Sequence, residues 1–387
     1  MSTALPRIAL MLGNLVTGIS IVGVAAILPE LARGLGVSIA QAGMLITAGA
    51  VVLCIGSPLM VWATSRVDRR FLLGGSLAIV GLGHLASALA PEYAALLGLR
   101  VLMMFVIAPF TPVAAATIAT ITPESGRPGA VTFVFLGWSL AVAAGLPAIA
   151  FLAAHLGWQG AFAAAGVALL AAALLVFLAL PAGLRGAPIS MSSWGALARN
   201  RSVVLLLAIT VTQTSGQFAI FTYFAPLLGR LAGAGVATVS AFFLLYGVMG
   251  FVGNAIAARI VVRLKPYLTS WVALLSIFLG VTLWSIGAGV LAVMAVGVAF
   301  WGLGFAAVNS MQQARLIGAA PALGGAAVSL NTSALYVGQA IGSALGGFLF
   351  AGDLPRAVGY AAMAFLALSL ALLAMTSDRP PSRRAAA

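Results

Sequence analysis

Apolar residues run along this chain in uninterrupted blocks of about 20, separated by short stretches that collect its Gly, Pro and charged positions. A helix rises about 1.5 Å per residue, so such a block crosses the roughly 30 Å hydrocarbon core of a bilayer. Twelve blocks are predicted as spanning helices, at about 8–28, 41–62, 71–90, 93–118, 130–153, 160–180, 202–224, 237–258, 267–287, 290–314, 325–350 and 356–376. They are continuous rather than alternating, which predicts helices and not a barrel. The first could be read as a secretory signal, because Arg7 precedes an apolar run through GVAA; its length and the spans behind it favour a membrane helix. One block is unusual inside. ITVTQTSGQFAIFTY, residues 209–223, places Thr210, Thr212, Gln213, Thr214, Ser215 and Gln217 within a span.

Composition sharpens the class. The chain is 63% hydrophobic and 6% charged, with mean hydropathy +1.18, where a soluble domain carries about 25% charged residues. A soluble globule is excluded, and the blocks leave no room for a separate soluble domain. The net charge of +13 would suggest nucleic acid in a soluble protein. Placement argues otherwise: with a cytoplasmic amino terminus, fifteen of the 19 basic residues fall on the inner side and only Arg33, Arg230 and Arg356 in outer loops. Both termini are therefore expected in the cytoplasm of a bacterial inner membrane, with lipid rather than nucleic acid as the surrounding partner. Cys54 stands alone, so no intrachain disulfide forms. Two histidines and one cysteine make no metal site, and no phosphate loop or nucleophile triad occurs, so neither an enzyme nor a cofactor is expected.

The one long hydrophilic stretch, 181–201, divides the chain nearly equally. Residues 1–180 are predicted as one six-helix half, 181–201 as a cytoplasmic linker, 202–376 as the second half and 377–387 as a basic cytoplasmic tail. An offset of 197 superposes Pro29 on Pro226, Arg33 on Arg230, Gly36 on Gly233, Gly56 on Gly253 and Arg66 on Arg263. An offset of 201 pairs Gly137 and Gly145 with Gly338 and Gly346. Parallel repeats of this kind belong to transporters that rock two halves around a midplane site.

These residues resemble the major facilitator superfamily over essentially the whole chain, and within it bacterial drug/proton antiporters of the arabinose-efflux-permease type. The closest stretches are LPELA at 28–32, FTYFAPLL at 221–228 and LLYGVMGFVGN at 244–254. SRVDRR at 65–70 resembles the end of the family's second-to-third-helix signature through Arg66, Arg69 and Arg70, while Ser65 replaces its acid and Asp68 its glycine. Arg100 resembles the fourth-helix arginine, with Met104 in place of a glycine. Gly137, Gly145 and Pro147 resemble the fifth-helix antiporter signature, and Pro147 is expected to localise a bend. Ile21 stands where many relatives carry a glutamate. The resemblance implies an all-α integral membrane protein with twelve transmembrane helices in two pseudo-symmetric six-helix halves, acting as a monomer on a small-molecule solute with protons as the coupling ion.

At about 100° per residue, Thr210, Gln213, Thr214, Gln217 and Phe221 share one stripe of the seventh span. Asn309, Gln312 and Gln313 form a second, in the tenth span. Ser329, Thr332, Tyr336 and Gln339 form a third, in the eleventh, and Asn14, Thr17 and Ser20 a fourth, in the first. The family's architecture implies that such stripes converge on a cavity. Hydrogen bonding between packed helices is the competing reading for any single hydroxyl. For Gln213 and Gln217 the cavity reading is taken, with water and solute as the partners these amides need. All six acids, Glu30 among them, lie at span ends, in loops or in the tail, which fits a neutral or weakly anionic solute better than a cation. His84 and Arg100 are the ionisable groups left within spans. Packing competes with titration for His84; for Arg100, backbone carbonyls, Glu30, Glu92 or a substrate anion are the open partners. Glu30, His84 and Arg100 are the candidates for coupling.

Overall fold

The computed structural model describes residues 4–185 and 191–376, so the basic tail at 377–387 lies outside the described residues. Ten helical segments are long and apolar enough to cross a membrane. Two of them, Gly129–Ala179 and Val236–Ile286, run 51 residues, about twice the roughly 20–25 residues that one bilayer crossing needs. Each is broken once. Gly157 (φ 73°, ψ 168°) separates spans 5 and 6, and Lys265 (φ 61°, ψ 166°) separates spans 8 and 9. The twelve predicted spans are thus all present, with spans 8 and 10 reaching further than their apolar blocks, to the Lys265 break and to Ala319. The stretch between the halves carries a helix of its own, Met191–Arg199.

The repeat is visible in the backbone. Span 1 leaves the α-helix after Val22, passes through a 3₁₀ turn at Gly23–Ala26 and resumes as Leu28–Leu35; span 7 breaks after Phe221 and resumes as Phe224–Ala232. The resumed segments end on Gly36 (φ 63°) and Gly233 (φ 64°), paired by the 197 offset and both in the left-handed conformation a helix C-cap favours glycine for. In span 5 the bend expected at Pro147 is a π-turn at Ala141–Gly145, closed by Leu146 N–H donating to Ala141 O. That wider turn precedes the proline, whose ring cannot follow a regular α-turn.

The two six-helix halves meet along spans 2 and 11 and along spans 5 and 8. Gly247 of span 8 lies directly on the Ala143 backbone in the π-turn, so any side chain there would collide with it. At the end of the bundle carrying Glu30 and Asp353, Tyr223 of span 7 fits between Gly43 of span 2 and Gly347 of span 11. Around it every residue from Ser20 to Leu28 and from Ala219 to Leu228 is buried, so this end is sealed on all sides of spans 1 and 7. Towards the opposite end Thr111, Trp138, Asn309, Gln313, Thr332 and Tyr336 keep partial exposure.

Candidate functional site

The polar run of span 7 forms a continuous hydrogen-bonded chain with span 10. Trp301 Nε1 donates to Gln217 Oε1 at 2.9 Å. Gln217 Nε2 donates in turn to Gln213 Oε1 and, at 3.3 Å, to the Gln213 carbonyl. Gln213 Nε2 reaches Thr214 Oγ1 at 2.9 Å and Asn309 Oδ1 at 3.4 Å, and Asn309 Nδ2 donates to Phe305 O at 3.0 Å. Gln213, Gln217 and Trp301 are at most 2% exposed. Both glutamines therefore have protein partners, which corrects the expectation that water and solute alone satisfy them. Phe221 caps the chain on the sealed side, its ring 5.5 Å from Tyr246, 5.8 Å from Phe243 and 6.4 Å from Trp301.

The other predicted residues divide. Thr210 is fully buried and donates to Asn331 Oδ1 at 2.7 Å. Gln312 turns away from the stripe, between spans 7 and 10, where its amide donates to Leu206 O at 2.9 Å and Thr210 Oγ1 at 3.3 Å. Asn14 is equally buried, donating to Val134 O at 3.0 Å and accepting from Thr111 Oγ1 at 2.7 Å. Asn14, Thr210 and Gln312 thus tie neighbouring helices, while Gln312 Oε1 is buried without a partner among the described residues. Thr17 is 1% exposed and its hydroxyl has no partner among the described residues. Gln339 is buried, whereas Gln313, Thr332 and Tyr336 are half-buried. The Gln313 side of span 10, not the Gln312 side, carries the exposed amide.

Arg100 supplies the N-terminal half's counterpart. Its guanidinium is 2% exposed and donates to three backbone carbonyls: Ser20, Ile21 at 2.6 Å and, through Nε, Leu45 at 3.3 Å. Ser20 and Ile21 lie in the last turn before the α-to-3₁₀ switch, where carbonyls lack regular partners and the helix dipole favours a cation. Arg100 thus closes the break in span 1, and of the partners considered the carbonyls are the ones found. Glu30 is paired instead with Arg33 in its own helix, at 3.4 Å. His84 Nε2 lies 2.9 Å from Ser20 Oγ, its ring stands 5.4 Å from Phe162, and Nδ1 is buried without a partner among the described residues. Spans 1, 3 and 4 are joined through Ser20.

Sequence reasoning missed Trp301 and Asn331. The register contained the signal for Trp301: the 197 offset carries Ser20 onto Gln217, and the 201 offset carries Arg100 onto Trp301. A donor from span 4 or span 10 meets the broken helix at equivalent depth in each half. The 201 offset likewise carries Thr111 onto Gln312, the two residues that tie to Asn14 and Thr210.

The loop between spans 2 and 3 is bound to its own half and to the start of the linker. Asp68 caps span 3 by accepting from Arg70 N at 2.8 Å, and its second oxygen accepts from Gly183 N at 2.5 Å. Arg69 donates to Val113 O at 3.1 Å and Thr117 Oγ1 at 3.0 Å in span 4, and the Arg70 guanidinium lies 4.0 Å over the Phe177 ring. Arg66 is exposed. Gly137 packs on the span 1 backbone at Met11–Leu15, and Gly145 on the Ile19 side chain.

Known proteins share this architecture and sequence. Inner membrane transport protein YdhP of Escherichia coli O157:H7 is 31% identical over 383 residues, covering 97% of each chain. The protein named "Probable sugar efflux transporter" of Mannheimia succiniciproducens is 26% identical over 323 residues, covering 83% of this chain and 81% of its own. Among solved structures, a D-xylose-proton symporter superposes with a TM-score of 0.76 at 14% identity, over 97% of this chain and 98% of that one, a likeness of fold alone. The Major Facilitator Superfamily model matches residues 10–323, and the chain, a membrane transport protein and not an enzyme, belongs to that superfamily.

Proposed function

We propose that the protein is a proton-coupled exporter of a small neutral polar or amphipathic solute, sugar-like, nucleoside-like or a neutral drug, working by alternating access in a bacterial inner membrane. Residues 1–180 and 202–376 are the moving halves, 181–201 the cytoplasmic linker, and the partly exposed end faces the cytoplasm. The observation that carries the reading is the Trp301–Gln217–Gln213–Asn309 chain, walled by Phe221 and Tyr246. It is an array of neutral donors and acceptors set among aromatic faces, the composition of a site for an uncharged solute. A solute entering from the partly exposed end meets Gln313, Thr332, Tyr336 and Asn309 first, then exchanges its own groups for those that pair Gln213 and Gln217. Efflux is also the function in the sugar transporter relative's name.

For coupling, Glu30 at the sealed end and His84 against Ser20 are the proton candidates, with Arg100 fixing the break in span 1 that both flank. A passive facilitator is the second reading, and one observation favours it: every acid among the described residues lies at a span end or in a loop.

The test is flux in proteoliposomes with a panel of sugars, nucleosides and amphenicol-like drugs, with and without an imposed pH gradient. An active solute whose uphill movement requires the gradient supports the proposal, and Gln217→Leu should then weaken its binding by about 1–3 kcal/mol. Flux that ignores the gradient leaves the facilitator. Full uphill export by both Glu30→Gln and His84→Ala removes both coupling assignments, and absence of flux for every solute leaves a non-transporting receptor on the same fold.

A further inference from the structure

A cavity lies away from the Gln217 chain, on the outer face of the second half. It is a groove of about 370 Å³ between spans 8, 9 and 10, walled by Gly253, Ala257, Ala273, Leu275, Phe300 and Leu303. Small residues make it: Gly253 brings span 8 onto the Leu303 carbonyl, and Ala257 and Ala273 leave unfilled the space beside that contact. Its two hydroxyls are already used. Thr269 donates to Lys265 O at 2.9 Å and Ser276 to Phe300 O at 2.6 Å, so the groove presents a predominantly apolar surface.

One end of this groove is strongly basic. Ile256 and Ile260 line it, and beside and beyond that end span 8 carries Arg259, one turn from Ile256, and Arg263, one turn from Ile260, followed by Lys265 at the break into span 9. All three cations are exposed, and no carboxylate pairs with any of them among the described residues. The contrast with the other half is informative. The 197 offset carries Asp68, which caps span 3, onto Lys265, so the equivalent loop here has lost its acid. Lys265 also holds φ 61°, ψ 166°, a conformation that glycine adopts without strain and lysine does not. A cation stands where the backbone would favour glycine.

We infer that this groove binds an anionic phospholipid from the leaflet at the basic end, one acyl chain lying between spans 8, 9 and 10 and the phosphate seated on Arg259, Arg263 and Lys265. An apolar slot continuing into an uncompensated basic cluster at headgroup depth matches both parts of such a lipid, and the zwitterionic lipids that share its chains match only one. Between the groove and the candidate solute site, Asn254, next to Gly253, accepts from Ser310, next to Asn309, at 2.9 Å.

The experiment uses the full-length purified protein with dioleoyl phosphatidylglycerol and dioleoyl phosphatidylcholine as probes, read by native mass spectrometry of retained lipid and by the melting temperature in micelles. The expected result is at least an approximately tenfold preference for phosphatidylglycerol in the wild type. Arg259→Gln/Arg263→Gln/Lys265→Gln should abolish the preference, and the control Arg199→Gln/Arg201→Gln should keep it. Ala257→Phe, which fills the slot and leaves the cations, should also weaken phosphatidylglycerol retention. Equal retention of the two lipids by the wild type, or an unchanged preference in the triple variant, overturns the proposal. So does displacement of the lipid by glycerol phosphate at equal concentration, which would make the cluster a site for free phosphate. Because Ala257→Phe could misfold, the triple variant, altered only at exposed side chains, carries the test by itself.

Discussion

The bond between Trp301 and Gln217 joins spans 7 and 10 where neither residue can reach solvent, and its energetic weight can be worked from the atoms it would orphan. Gln217→Leu strands two buried groups, the Trp301 Nε1 donor and the Gln213 Oε1 acceptor; Trp301→Phe strands one, Gln217 Oε1. An unsatisfied buried polar group costs about 1–3 kcal/mol, so the single variants should lose about 2–6 and 1–3 kcal/mol from this source. The double variant strands only Gln213 Oε1, at about 1–3 kcal/mol. The coupling in a double-mutant cycle is therefore about 2–6 kcal/mol, and the packing lost with the indole cancels because it enters both arms. Reversible unfolding by sodium dodecyl sulfate in mixed micelles, followed by far-UV circular dichroism, measures all four stabilities. Interhelical hydrogen bonds in bilayers average about 0.6 kcal/mol when the stranded groups find new partners. A coupling at or below that value would show that Gln217 and Trp301 are so re-partnered, and would refute the idea of a dry chain for which a solute must compete.

Arg100→Met should lower the melting temperature strongly, since it frees the Ser20, Ile21 and Leu45 carbonyls at once, and Arg100→Lys should fall between it and wild type because one ammonium does not span carbonyls of two helices; a Lys variant as unstable as the Met variant would contradict charge at the helix break as the stabilising element. Asp68→Ala should cost about 0.5–2 kcal/mol through loss of the span 3 cap, with Asp68→Asn largely preserved; thermal melts that do not separate Ala from wild type would remove the cap from the account. Gly247→Val forces a side chain into the Ala143 backbone where the halves meet, so initial flux should fall while membrane insertion, read by protease accessibility of the loops, is retained; wild-type flux would mean that this contact opens without consequence.

What the sequence alone determined were properties that one helix carries by itself. Hydropathy counts residues against bilayer thickness, so twelve spans were legible although two pairs are separated only by a one-residue break, at Gly157 and at Lys265. The repeat was legible because Gly36 and Gly233 satisfy the same backbone demand in each half, whereas the π-turn before Pro147 was not, since the sequence marks only that a regular turn is disfavoured there. Which polar face meets which partner was decided only in three dimensions. Gln312 and Gln313 differ by about 100° around one helix, and the packing of span 10 against span 7 puts one into a helix contact and leaves the other partly exposed. The partner of Arg100 carried no residue-type signal, because every residue has a carbonyl and only the break in span 1 makes those of Ser20 and Ile21 available. Trp301 read as an apolar residue among others until packing aimed its one donor at Gln217. Burial in a bilayer makes an unpartnered polar atom costly; the sequence states how many such groups there are, and the tertiary structure chooses which are paired and with whom.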